Sequence, residues 1–116
     1  MKKNKHLILI ILTCSLVSVM LLSCSKALDA EAVNKRRAEN IISALYEYEQ
    51  EYTSFPNQLI DLVPVYIDAI PTTVEGEDFF YSIDSVNGFN LSFMVKSNFG
   101  CGYSDQSQQW ECGYGD

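Results

Sequence analysis

The sequence predicts an α+β fold in which one long N-terminal helix packs on a small antiparallel sheet. Three observations lead there. From about residue 28 to 52, apolar residues recur at three- and four-residue spacing, the period of a one-faced helix. Two later runs rich in aromatic and β-branched residues, Phe79–Asp84 and Phe89–Lys96, flank Asn87-Gly88, a strong hairpin signal. The N-terminal residues have a different composition, and the 24–116 remainder has room for a single small domain with a marginal core.

The helix is justified residue by residue. Asp29 and Glu31 suit its positive N-terminal end, and Glu31 with Lys35 forms a favourable i,i+4 pair. Ala38, Ile41, Leu45, Tyr48 and Tyr52, flanked by Ile42 and Ala44, make the apolar face; Lys35, Arg36, Glu39, Glu47 and Gln50 lie opposite. Lys35-Arg36-Arg37 reads as a solvated face, with docking of an acidic partner as the alternative. Thr53, Ser54 and Pro56 end the helix, since a residue before proline leaves the α region. Asn57 is placed to cap a brief turn through Leu62, and Pro64 stops it.

The stretch "VYIDAIPTTVEGED" then runs as ordered coil, punctuated by Pro71. Its acids Glu75, Glu77 and Asp78 offer the oxygen ligands that suit calcium, but without EF-hand spacing they read as solvated loop acids, and no metal ligand is assigned. In the second strand Leu91, Phe93 and Val95 alternate with Asn90, Ser92, Met94 and Lys96, as in a sheet with one buried face. A last strand is expected near Gln108–Tyr114, reached through a loop closed by Cys101 and Cys112. Gly100, Gly102, Gly113 and Gly115 would give that loop a permissive backbone.

The N-terminus reads as an address. "MKKNKH" carries three lysines and no acid, and Leu7–Leu22 is greasy apart from Thr13, Cys14, Ser15 and Ser18, the order of an export signal. The apolar run is about 16 residues, short of the roughly 20 needed to span a bilayer. Leu21-Leu22-Ser23-Cys24 follows and resembles the bacterial lipobox. The resemblance implies diacylglyceryl transfer to the Cys24 thiol, cleavage between Ser23 and Cys24, and acylation of the new N-terminus. The alternative is an ordinary signal peptide that leaves Cys24 as a free thiol. Two or three acyl chains, at about 0.8 kcal/mol per buried CH₂, anchor a protein stably where one does not. Ser25, in place of the aspartate of the enteric retention pattern, favours the outer membrane. The chain thus divides into a signal peptide (1–23), a lipidated tether (24–27) and a globular domain (28–116).

The mature part keeps all 15 acids against five bases, Lys26, Lys35, Arg36, Arg37 and Lys96, so nucleic acid and anionic lipid are poor partners for its surface. With Cys14 removed and Cys24 lipidated, Cys101 and Cys112 remain as a pair, which an oxidising envelope compartment would join in a disulfide. Half of a metal site is the competing reading and has no further ligands. The only histidine is His6, inside the signal, so the mature chain offers no Ser-His-Asp or Cys-His arrangement and no zinc site of the usual kind. It has no Gly-rich phosphate loop either. No catalytic residue and no cofactor are expected.

Helix, connecting loop and small sheet with a C-terminal disulfide is also the order of parts in type IV pilins and type II secretion pseudopilins. "ALYEYEQEYTSFPNQLIDLVPVYIDAIP" resembles the major pseudopilin pattern through Tyr48, Phe55, Pro56, Leu59, Leu62, Tyr66 and Pro71, and "FFYS" at Phe79–Ser82 resembles the first strand after the connecting loop. The chain departs from that family in carrying a lipobox and a polar helix instead of a prepilin-peptidase site and a hydrophobic one. It also lacks the family's Asp-Pro-Trp-Gly-like run. The resemblance implies a pilin-like domain that does not polymerise.

The expected function is therefore a membrane-anchored, non-enzymatic module that binds an envelope protein, in association with secretion or pilus machinery. Tyr103, Trp110 and Tyr114 are the candidate anchors, unless they fill the underside of the sheet. Small-ligand or glycan binding on exposed tyrosines, or inhibition of an envelope toxin, are the alternatives. A carboxylate-dependent hydrolase would need a pair such as Glu75 and Asp105 at a suitable separation.

Overall fold

In the computed structural model, residues 30–115 are described. Ser23, Cys24, the signal and tether segments and the predicted first turn at Asp29 lie outside them. The domain occupies the compact unit Glu31–Asp116. Among the described residues no helix is long and apolar enough to cross a membrane.

Residues 30–52 are helical (α1). The expected stripe is inside: Ala38, Ile41 and Leu45 are fully buried, and Ile42 and Ala44 nearly so. Tyr48 is half-buried, but Tyr52, at the last residue of the helix, is 54% exposed, with its ring along Tyr48, 4.4 Å away. The helix stops before proline acts. Thr53 takes φ +59° while its N–H still donates to Glu49 O at 2.7 Å, a left-handed ending three residues short of Pro56.

A 3₁₀ turn follows at Leu59–Leu62, capped at Gln58 and not at Asn57 as the sequence predicts. The reason is local: the Gln58 N–H donates to Asp61 Oδ2 at 3.3 Å, and that acid sits three residues on. The turn drives Leu62 fully into the core. From 63 to 79 the chain has no helix or strand; this is the expected coil, except that Phe79, expected to open the first strand, still belongs to it, and side chains tie the segment to α1.

Four strands form an antiparallel meander in the order β1 (Phe80–Ile83), β2 (Phe89–Lys96), β3 (Phe99–Ser104) and β4 (Gln109–Tyr114). The alternation in β2 is as predicted, with Phe89, Leu91 and Phe93 buried beneath α1 and Asn90, Met94 and Lys96 outside. Each such side chain contributes roughly 1.5–3 kcal/mol by leaving water. Helix and sheet meet through aromatic edges: Tyr46 lies 5.7 Å from Phe89, and Phe55 lies 4.9 Å from the same ring. The fold is thus α+β, one helix against one antiparallel sheet.

Two details depart from the sequence reading. The β1–β2 turn spans residues 84–88, with Asn87 at φ +64°. Gly88 is required for space, since a Cβ there would fall 2.7 Å from Asp84 Oδ2. The second departure is larger. Residues 99–104, expected within a cross-linked loop, form the whole of β3. Its glycines look like loop residues, but Gly100 serves close approach: a Cβ there would sit 2.8 Å from the Phe93 carbonyl oxygen.

Candidate functional site

The β3–β4 hairpin brings the predicted residues together on one face. Its register pairs Tyr103 with Trp110, Cys101 with Cys112 and Phe99 with Tyr114, so all six side chains point to the helix side of the sheet. The turn at 105–108 closes it, with Gln108 at φ +53°.

Cys101 and Cys112 are disulfide-bonded, as the cysteine count predicts, with Cα atoms 4.1 Å apart. The bond ties two facing strand positions and does not close an irregular loop. Cys101 is buried and Cys112 exposed. Glu31 Oε1 lies 3.7 Å from Cys112 Sγ, a contact and not a hydrogen bond, because a disulfide sulfur carries no proton. Glu31, Cys101 and Cys112 lie within 4.8 Å of one another, but both sulfurs are spent on each other and the carboxylate on Lys35 at 2.7 Å. This is no metal site.

Trp110 is half-buried. Its ring lies 5.7 Å from Phe93 and 5.6 Å from Tyr103, and Lys35 Nζ stands 6.0 Å from its centre, a cation–π contact. Tyr103 stacks on Phe89 at 5.9 Å. Tyr46 donates to Asp105 Oδ1 at 2.7 Å, which leaves its oxygen to accept from the Tyr103 hydroxyl at 3.4 Å. Burial first, then these two hydrogen bonds, push the Tyr46 phenol well above its ordinary range. Tyr114 is different: it is 82% exposed and touches only the Phe99 ring among the aromatics, at 5.1 Å.

The acidic loop is organised by a residue that sequence reasoning passed over. Asn34 is fully buried; its Oδ1 accepts the Val74 N–H at 2.8 Å and its Nδ2 donates to Glu75 Oε2 at 3.4 Å. Thr73, also buried, accepts the Glu77 N–H at 3.0 Å, and Arg37 donates to Thr72 O at 2.7 Å. The available signal was phase: Asn34 lies on the Ala38–Ile41–Leu45 stripe.

The acid pair Glu75 and Asp105 is not brought together. Their partners Asn34 and Tyr46 are twelve residues apart on α1, about 18 Å along its axis at 1.5 Å per residue. Acid–base work on a glycosidic bond needs two carboxyl groups within roughly 5–9.5 Å. The described surface offers only open depressions. One of them lies on the outer sheet face, lined by Asn90, Ser92, Gly102, Gln109 and Glu111. No known family, curated protein or solved structure matches this chain.

Proposed function

We propose that this chain is a membrane-anchored envelope lipoprotein whose domain is a non-enzymatic, protein-binding module, with its interaction surface on the β3–β4 hairpin. The observation that carries the anchor is Leu21-Leu22-Ser23-Cys24, placed directly after a basic segment and an apolar run. The support for binding is the hairpin itself. It is stiffened by a disulfide and braced from beneath by Trp110 and Tyr103, and it presents the largely exposed ring of Tyr114 at the sheet margin. Stiff elements carrying aromatic residues lose little entropy on association.

The pilin-like order of helix, loop and sheet points to an accessory of a secretion or pilus system. The absence of a prepilin-peptidase pattern in the sequence points to a member that does not enter a filament. The outer membrane is the proposed location, from Ser25.

The test is metabolic labelling with a clickable fatty acid in a bacterial host, comparing the wild-type chain with Cys24→Ser. Label on the wild type alone supports the anchor; label on both, or on neither, refutes it. In-cell cross-linking and mass spectrometry of the same two strains then asks whether envelope proteins are captured, and whether capture depends on Cys24.

A further inference from the structure

The β4 strand is a sheet edge of unusual openness. Among the described residues it pairs with β3 alone, through six successive positions with no bulge, and every residue of it except Trp110 is exposed. Edge strands are normally blunted by lysine, proline, a bulge or shortness. The other edge, β1, is only four residues long. Gln109-Trp110-Glu111-Cys112-Gly113-Tyr114 has neither lysine nor proline, and the disulfide to Cys101 holds it in the plane of the sheet.

We propose that β4 pairs antiparallel with β4 of a second copy of this chain, about a two-fold axis at Cys112. Residues facing one another across an antiparallel pair point to the same side of the sheet. Pairing about Cys112 therefore sets Trp110 opposite the second copy's Tyr114, twice, on the helix side. It sets Glu111 opposite Gly113, twice, on the outer side. The exposed Tyr114 ring gains a tryptophan neighbour, the kind of cross-strand aromatic pair that stabilises sheets. The two Glu111 carboxylates become diagonal neighbours, where centring the axis on Glu111 would set them face to face. Glu31, beside Cys112, is already neutralised by Lys35. The outer face leaves room, since nothing lies within 4 Å of a Cβ built on Gly113.

A six-residue edge is a small interface of the weak class, so the test captures the pair covalently. It rests on the reading that the hairpin is an interaction surface. The full chain, with a photo-reactive phenylalanine at position 114, is co-expressed with a differently tagged full-length copy and irradiated in cells. The expected product is a homodimer whose cross-linked peptide contains Trp110 of the other copy.

Gly113→Glu faces Glu111 with a like charge at two places and should lower the yield about tenfold; Gly113→Lys faces it with an opposite charge and should hold or raise it. Position 113 also neighbours Glu111 of its own strand, so the unfolding midpoint of each variant is measured alongside, and a yield difference that merely tracks stability overturns self-pairing. Equal yields from the two variants overturn self-pairing, as does an adduct with a different protein, which leaves the interaction surface standing. No adduct at all removes both.

Discussion

Asn34 fastens α1 to the acidic loop: its side-chain oxygen accepts the Val74 N–H at 2.8 Å from a fully buried position. Removing it leaves that donor without a partner inside the protein. Asn34→Ala should cost about 1–3 kcal/mol in urea unfolding. Asn34→Asp keeps the acceptor but sets a second carboxylate beside Glu75, so its deficit should shrink as the pH is lowered through the carboxylate range. An Asn34→Asp deficit that ignores pH would count against this account.

Loss of the cross-strand link is the second expectation. Cys101→Ser with Cys112→Ser should lower stability by about 3 kcal/mol on the chain-entropy model. Thermal unfolding of the wild type with and without reductant should show the same difference, and the double variant should not respond to reductant.

Three of the seven tyrosines should resist alkaline titration. Burial, then the charge of Asp61, pushes Tyr81 up to about 12. Tyr46 lies higher through burial and its hydroxyl partners, and Tyr66 higher through its hydrogen bond to Glu51. The unfolded chain ionises near pH 10, so above that pH it holds fewer protons than the folded one. Stability should be unaffected by these groups below pH 10 and should fall as pH rises from 10 towards 12 and beyond. Phenolate absorbance followed against circular dichroism checks it: the late tyrosines should ionise together with unfolding.

Aromatic truncation should separate support from surface. Trp110 fills space among Phe93, Tyr103 and Lys35, so Trp110→Ala should cost about 2–4 kcal/mol. Tyr114→Ala should stay within about 0.5 kcal/mol and yet reduce capture of partners. A large loss of stability at Tyr114 would show that the ring belongs to the core.

Glycines 88 and 113 should answer oppositely to alanine. At Gly88 the new Cβ meets Asp84 Oδ2, the carboxylate whose other oxygen accepts the Val86 and Gly88 N–H groups at 3.0 and 2.8 Å. About 1–3 kcal/mol should be lost there. At Gly113 nothing stands in the way, and the unfolding midpoint should hold or rise.

The sequence by itself determined the features that follow from local period and chemistry. The helix stripe from Ala38 to Leu45, the alternation of β2 and the pairing of Cys101 with Cys112 could all be read because each depends on nearby residues or on a count. Tertiary structure decided whatever depends on what arrives from elsewhere in the chain. Gly100 and Gly102 look like loop residues until β2 and β4 pair on either side of them. Asn34 looks like an ordinary helix polar group until the 72–77 loop brings Val74 to it. Tyr52 looks like the end of an apolar stripe, and stays largely exposed at the last turn of the helix. Local propensity is written in each residue, whereas burial and hydrogen-bond partnership belong to pairs of residues that only the folded chain brings together.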